Sequence, residues 1–214
     1  MTSSITRRPS PTRRKQTGND SPACEREAPL LKRLVGVCSN PLTLAAVAAL
    51  VLFEIVVSLC IVRFVPYTEI DWEAYMQQVA TFQAGELDYI NIKGGTGPLV
   101  YPAGFLYVFS AFKALSGGGT DIAAAQVIFT GVYALNSLVV LLIYRRAKLP
   151  ALAAFPLLMS KRIHSIFVLR LFNDCIASLI AHAAVLALSY FKMKTAATLL
   201  SFGVSVKMNV SGLI

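Results

Sequence analysis

The chain has 214 residues, of which 56% are hydrophobic and 14% are charged, and its mean hydropathy is +0.62. Soluble proteins average about 45–50% apolar and about 25% charged residues, so the composition excludes an ordinary soluble domain. With only 13 Gly and 10 Pro, it also excludes a disordered or fibrous chain.

The formal net charge of +9 is unevenly distributed. Eight of the 20 Lys and Arg residues lie in the first 33 positions, whereas only two of the 11 acidic residues, Asp121 and Asp174, follow Asp88. Residues 1–41 therefore predict a disordered, basic tail in the cytosol, and residues 42–214 predict a transmembrane domain. The tail has no aromatic residues between its cations, so membrane orientation explains its charge and no nucleic-acid partner is expected.

The first apolar run, Leu42–Val65, has the roughly 20 residues that cross a bilayer. It lies too far from the N-terminus for a cleaved signal peptide, and its basic flank places the N-terminus in the cytosol. Four more apolar runs predict spans at Ile122–Tyr144, about Pro150–Val168, Cys175–Phe191 and Thr195–Ile214.

Leu99–Ser116 is apolar but rich in Tyr and Phe and interrupted by Pro102. If this segment crossed the membrane, five later cations would face the lumen: Arg145, Arg146, Lys148, Lys192 and Lys194. The positive-inside rule therefore favours a helix on the luminal surface. The sequence predicts an all-α, polytopic membrane protein with about five spans, luminal juxtamembrane helices and a luminal loop over residues 66–121.

The segment Tyr67–Tyr75 carries carboxylates at Glu69, Asp71 and Glu73. Asp71 fits two roles, that of a helix N-cap and that of a functional acid on the same helix face as Tyr75. Trp72 is expected to anchor this helix at headgroup depth. The glycines that follow, from Gly94 to Pro102, indicate a tight turn.

A second group of polar residues falls near or within the later spans. His164, Arg170, Asp174 and Lys207 are functional candidates because charge at membrane depth is costly. The alternatives are snorkelling helix ends and an Arg170–Asp174 pair four residues apart. His182 is expected to hydrogen-bond between helices.

Acids on one loop and cations at helix ends would suit an enzyme that moves a sugar from a lipid phosphate. A carboxylate would accept the proton of the acceptor hydroxyl, and cations would stabilise the departing phosphate. The same residues would also suit a transporter of an anionic solute, so both classes remain open at this point.

Four segments in the same order resemble the dolichyl-phosphate-mannose-dependent alpha-1,3-mannosyltransferases of asparagine-linked glycosylation. They are Val65–Val79, Gly95–Phe109, His164–Asp174 and Ser205–Val210. The resemblance implies a GT-C-like fold in the endoplasmic reticulum membrane, multi-pass, with a luminal active site. It implies transfer of mannose from dolichyl-phosphate mannose to the lipid-linked oligosaccharide Man(5)GlcNAc(2)-PP-dolichol, and the remaining partner is ER membrane lipid.

The resemblance also implies roles for single residues. The family's essential luminal acid matches Asp71, with Glu69 next in line, and Asp71 would deprotonate the 3-hydroxyl of the acceptor mannose. A beta-linked donor and an alpha-linked product imply an inverting reaction without a covalent intermediate. The substrate-binding candidates are His164, Arg170, Asp174, Lys207 and Tyr101, and neither a metal nor a cofactor is expected.

Two departures from the family pattern bear on activity. Family members are about twice as long, and this chain ends within what should be a spanning helix, after the unfamiliar sequence Ser211–Ile214. The chain therefore looks like a truncated N-terminal half, and we expect it to be inactive on its own. The alternative is a non-catalytic polytopic protein, either a transporter or a scaffold.

Overall fold

The computed structural model describes residues 42–213, so the predicted tail at residues 1–41 lies outside the described residues. The described part is almost entirely helical, as predicted. Its helices are α1 (Leu44–Phe64), α2 (Trp72–Gln83), α3 (Ala103–Leu115), α4 (Ile122–Arg146), α5 (Phe155–Leu158), α6 (Lys161–His164), α7 (Asp174–Ser189) and α8 (Met193–Val206). Two short strands, β1 (Lys93–Gly94) and β2 (Gly97–Pro98), pair antiparallel and form the predicted tight turn.

Two helices are long and apolar enough to cross a membrane alone: α1 with 21 residues and α4 with 25. At 1.5 Å per residue they measure about 32 and 38 Å, enough for a hydrocarbon core of about 30 Å. Thr43 and Asp121 cap their N-termini by accepting hydrogen bonds from backbone N–H groups, and Arg145 and Arg146 lie in the last turn of α4. Both ends of α4 therefore suit its helix dipole.

The later predicted spans differ from simple helices. The run at Pro150–Val168 forms a pair of helical pieces, Leu152–Leu158 and Lys161–Leu169, bent by 41°. The runs that begin at Cys175 and Thr195 contribute helices of only 16 and 14 residues. By length and composition, the described residues thus hold two helices that can span alone, or three with the bent pair, whereas five spans were predicted.

The structure explains where these helices stop. Phe191, just after α7, adopts a φ of 57°, a conformation that ends a helix. Lys207 is extended, with a φ of −152°, and ends α8. The helix within Leu99–Ser116 has 13 residues, too few to cross the bilayer by itself, and its position on the luminal surface remains a prediction.

Trp72 is enclosed by protein and so does not present its indole to the membrane interface as the predicted anchor would. Its side chain is 1% exposed and packs in the aromatic core against Phe109 and Phe129. The indole Nε1 donates a hydrogen bond of 2.9 Å to the carbonyl of Gly119, in the turn before α4. A buried indole needs such an acceptor, and this contact ties the start of α2 to the start of α4.

Helices α3 and α8 approach so closely at Gly104 that a Cβ there would lie 2.6 Å from the carbonyl oxygen of Ser205. We expect Gly104→Ala to lower the free energy of unfolding by about 1–3 kcal/mol, because the helix backbones must separate. Gly131→Ala, in α4, is the matched control, since a Cβ at that site meets nothing within 4 Å. Thermal unfolding in detergent measures both, and an equally stable Gly104→Ala variant would contradict the close approach.

Candidate active site

Two carboxylates, those of Glu69 and Asp71, precede α2 and differ in their contacts. Glu69 accepts hydrogen bonds from the Tyr67 hydroxyl and, at 3.1 Å, from the backbone N–H of Glu73. It therefore satisfies one of the free N–H groups in the first turn of α2. Burial, followed by the hydrogen bond and charge of Glu69, raises the pKa of Tyr67, so this phenol remains a donor.

Asp71 occupies the N-cap position of α2, but its side chain makes no capping hydrogen bond. Among residues 42–213 its carboxylate accepts no hydrogen bond, and it is partly exposed. The capping alternative therefore holds only for its backbone position, since Glu69 does the capping. The Asp71 carboxylate is free to accept a proton from a ligand.

Tyr75, one turn after Asp71, connects α2 to the rest of the site. Its hydroxyl lies 3.3 Å from the Tyr101 hydroxyl, and the two rings meet edge to face with centroids 5.7 Å apart. Burial, then the contact with Tyr101, then the charges of Asp71 and Asp174 raise the pKa of Tyr75. Both carboxylates thus act on one buried phenol that keeps its proton.

A charged pair completes the site on the far side of Tyr101. The Lys207 Nζ lies 2.7 Å from Asp174 Oδ1 and 5.8 Å from the centroid of the Tyr101 ring. The Lys207 side chain is 15% exposed and that of Asp174 is 43% exposed. A recess of about 180 Å³ at this pair is also lined by Ser178 and Asn209.

The segment that carries Asp174 is irregular. A π-helical turn, Ser165–Leu169, follows α6, and Leu171 then adopts a φ of 54° while fully buried. A left-handed leucine is strained, and such strain persists only where packing holds it, often at functional sites. The irregular turn leads through Arg170 to Asp174, the first residue of α7.

Arg170 does not pair with Asp174, whose ion-pair partner is Lys207. Within the described part of the chain the buried Arg170 Nε has no hydrogen-bond partner. The predicted i, i+4 pair is therefore wrong, and Arg170 keeps donors for an anion.

His164 lies in a different polar cluster. Its Nε2 is 2.9 Å from Glu54 Oε1, and its Nδ1 is 2.9 Å from the carbonyl oxygen of Ser160. His182 forms the expected hydrogen bond between helices, from Nδ1 to the Asn136 side chain at 2.8 Å. Over residues 42–213, no three His, Cys, Asp or Glu side chains come together as metal ligands.

Of the predicted site residues, the structure brings Tyr101, Asp174 and Lys207 together, and Asp71 lies one helical turn before Tyr75, whose hydroxyl meets that of Tyr101. Glu69 caps α2 and His164 pairs with Glu54. Sequence reasoning missed Tyr75 and Glu54 as site candidates. Glu54 could have been identified as a candidate because it is the single acidic residue within the first apolar run, where charge is costly.

Apolar helices of spanning length, together with the Asp71 carboxylate at the start of α2 and a lysine–aspartate pair at the ends of α7 and α8, define an all-α membrane protein with a polar site. The sequence model described as "ALG3 protein" matches residues 48–213. That match covers most of the chain, which therefore belongs to this family. No solved structure matches it.

Three relatives carry the name Dol-P-Man:Man(5)GlcNAc(2)-PP-Dol alpha-1,3-mannosyltransferase. The Arabidopsis thaliana protein is 51% identical over 76% of this chain and 37% of its own length. The Neurospora crassa protein is 46% identical over 74% of this chain and 36% of its own length. The Homo sapiens protein is 43% identical over 78% of this chain and 39% of its own length. The chain thus spans little more than a third of these relatives.

Proposed function

We propose that this chain forms the N-terminal part of an alpha-1,3-mannosyltransferase that uses dolichyl-phosphate mannose and Man(5)GlcNAc(2)-PP-dolichol. The names of the relatives support the substrates. The observation that carries the proposal is the free Asp71 carboxylate, separated by two tyrosines from the Asp174–Lys207 pair. One side of this arrangement can accept a proton, and the other can hold a phosphate.

The chemistry assigns a role to each side. Asp71 accepts the proton of the acceptor 3-hydroxyl while that oxygen bonds to C1 of the donor mannose. The bond from C1 to the phosphate oxygen breaks, and its electron pair leaves with dolichyl phosphate. Lys207 and Arg170 bind this phosphate, because cations near the leaving group stabilise its developing charge. Tyr101 and Asp174 hold Lys207 in place.

The proposed location is the endoplasmic reticulum membrane, with Asp71 in the lumen and the N-terminus in the cytosol. Trp72 contacts Gly119 and so places Asp71 beside the N-terminal end of α4. Arg145 and Arg146 lie at the opposite end of α4, about 38 Å away. The positive-inside rule assigns those arginines to the cytosol and Asp71 to the lumen.

A chimera tests this function: residues 1–210 of this chain followed by the downstream sequence of the Arabidopsis relative. In membranes supplied with dolichyl-phosphate mannose and the acceptor, we expect one added mannose in alpha linkage. The 214-residue chain, assayed in parallel, is expected to be inactive. A chimera that folds but transfers mannose only from a nucleotide sugar, or moves solute without an acceptor, would contradict the proposal.

A further inference from the structure

Two of the three buried residues of α1 are polar. Of its 21 residues only Val47, Glu54 and Ser58 are buried, and Glu54 is 0% exposed. Many of its large apolar side chains, including Leu52 and Phe53, are exposed on the surface of the protein. A carboxylate within a spanning helix costs several kcal/mol unless a partner satisfies it, so the burial of Glu54 needs a reason.

His164 is the partner of Glu54, and the geometry of the contact determines how many protons the two side chains hold together. The Ser160 carbonyl oxygen can only accept, so the His164 Nδ1 that faces it at 2.9 Å carries a hydrogen. The Nε2 and Oε1 atoms lie 2.9 Å apart without hydrogen-bond alignment, and one of them must carry a proton, because two lone pairs would repel each other at this distance. Whether that proton resides on the imidazole or on the carboxyl, the pair as a whole is neutral.

The surrounding side chains enclose this pair. The Tyr133 ring, from α4, meets the His164 ring edge to face with centroids 5.3 Å apart. The hydroxyls of Ser58, Tyr133 and Ser137 are buried, and none has a hydrogen-bond partner among the described residues. Three parts of the fold, namely α1, α4 and the bent helix, therefore meet at one proton-sharing contact.

The position of His164 in the chain links the Glu54–His164 contact to the segment that carries Arg170 and Asp174. It lies at the end of α6, immediately before the π-helical turn and the strained Leu171 that lead to Asp174. After the π-helical turn the backbone is held by single irregular bonds, such as that from Phe172 N–H to the Ile166 carbonyl at 3.3 Å, so its course also depends on anchors at its ends. One end is anchored at Glu54 and the other at Lys207.

We propose that Glu54 and His164 form a shared-proton clamp that positions residues 165–174, and with them Arg170 and Asp174, for phosphate binding. Both are positioning residues and neither touches the substrate. The positioning role rests on the proposed transferase function. The Glu54–His164 clamp does not depend on the proposed function, and a separate experiment measures it.

The first experiment observes the clamp without activity. The chain contains only two histidines, so ¹⁵N-histidine labelling in nanodiscs gives two imidazoles, with His164 assigned by its loss in His164→Gln. We expect His164 to be protonated at Nδ1 and hydrogen-bonded at Nε2. Glu54→Gln should preserve that pattern, because an amide N–H can donate to Nε2, whereas Glu54→Leu should abolish it. Identical spectra for all three proteins would overturn the clamp.

The second experiment separates positioning from stability in the chimera. His164→Leu should unfold readily, because it leaves the Glu54 carboxylate buried alone, and adding Glu54→Leu should restore the melting temperature. We expect the Leu–Leu variant to transfer mannose about ten-fold more slowly or worse, since reacting groups are misplaced. Glu54→Gln should remain within a few-fold of the parent.

The two results distinguish the possible failures. A stable Leu–Leu variant with parental transfer would overturn the positioning role, as would a Glu54→Gln variant as slow as the Leu–Leu variant. If the parent chimera transfers no mannose while the spectra show the clamp, the proposed function fails and the Glu54–His164 contact stands.

Discussion

Replacing Asp71 by Asn is expected to lower mannose transfer by the chimera about 100-fold or more, the usual size of a general-base effect. The substitution keeps the shape of the side chain and removes its ability to accept a proton. It should not disturb the fold. Asn is as good an N-cap residue as Asp, and the Asp71 side chain makes no capping bond that could be lost.

Two neighbours serve as comparisons for Asp71→Asn. Glu73→Gln makes the same charge change on an exposed side chain of the first turn and should leave transfer near the parental value. The Tyr67 and Glu73 bonds go to different oxygens of Glu69, so Glu69→Gln keeps only one of them, but it leaves Asp71 intact and should cost less transfer than Asp71→Asn. If Glu69→Gln abolished transfer and Asp71→Asn did not, Glu69 would be the base.

The sequence was most informative for polar residues within apolar runs, because few roles are compatible with a polar side chain there. Lys207 stood out because charge within an apolar run is costly, whereas Asp71 was singled out by its match to the family's luminal acid. In the structure the Lys207 ammonium faces the Tyr101 ring, and the Tyr101 hydroxyl meets that of Tyr75, one turn after Asp71. His182 could be read in the same way, as a polar side chain that needs a partner on another helix. The free-energy cost of a polar side chain in an apolar run depends on the neighbouring sequence, so it can be recognised from the sequence alone.

Features that depend on distant partners were not visible. Trp72 looked like an interfacial anchor because its acceptor is the backbone of Gly119, 47 residues away. His164 looked like a phosphate ligand because nothing near it in sequence marks Glu54 as its partner. Likewise, hydropathy predicted a simple span at Pro150–Val168 because it cannot detect the 41° bend between the two helical pieces there, which only the fold reveals.

Lys207 carries the second large effect on activity. We expect Lys207→Met to reduce transfer by the chimera roughly 100-fold, because removing one preorganised donor to developing charge typically costs that much. The loss should appear in kcat/KM for dolichyl-phosphate mannose, since the ammonium is assigned to the phosphate. Methionine keeps most of the length of the side chain and removes the ammonium, which lies 5.8 Å from the centroid of the Tyr101 ring.

Stability should change little in Lys207→Met. Its partner Asp174 is 43% exposed, so water can solvate the carboxylate that is left unpaired, and the lost pair is worth at most about 1 kcal/mol. A small change in melting temperature together with a large loss of transfer would separate phosphate binding from folding. Equal losses of both would instead identify Lys207 as a structural link between α7 and α8.

Lys207→Arg provides the matched comparison. It retains the positive charge and should retain transfer within about ten-fold of the parent, since a guanidinium also binds phosphate but is larger than an ammonium. The order parent, Lys207→Arg, Lys207→Met is therefore expected in kcat/KM for the donor. A Lys207→Met variant as active as Lys207→Arg would show that the charge at this position is not used, and the phosphate would then have to be held by Arg170.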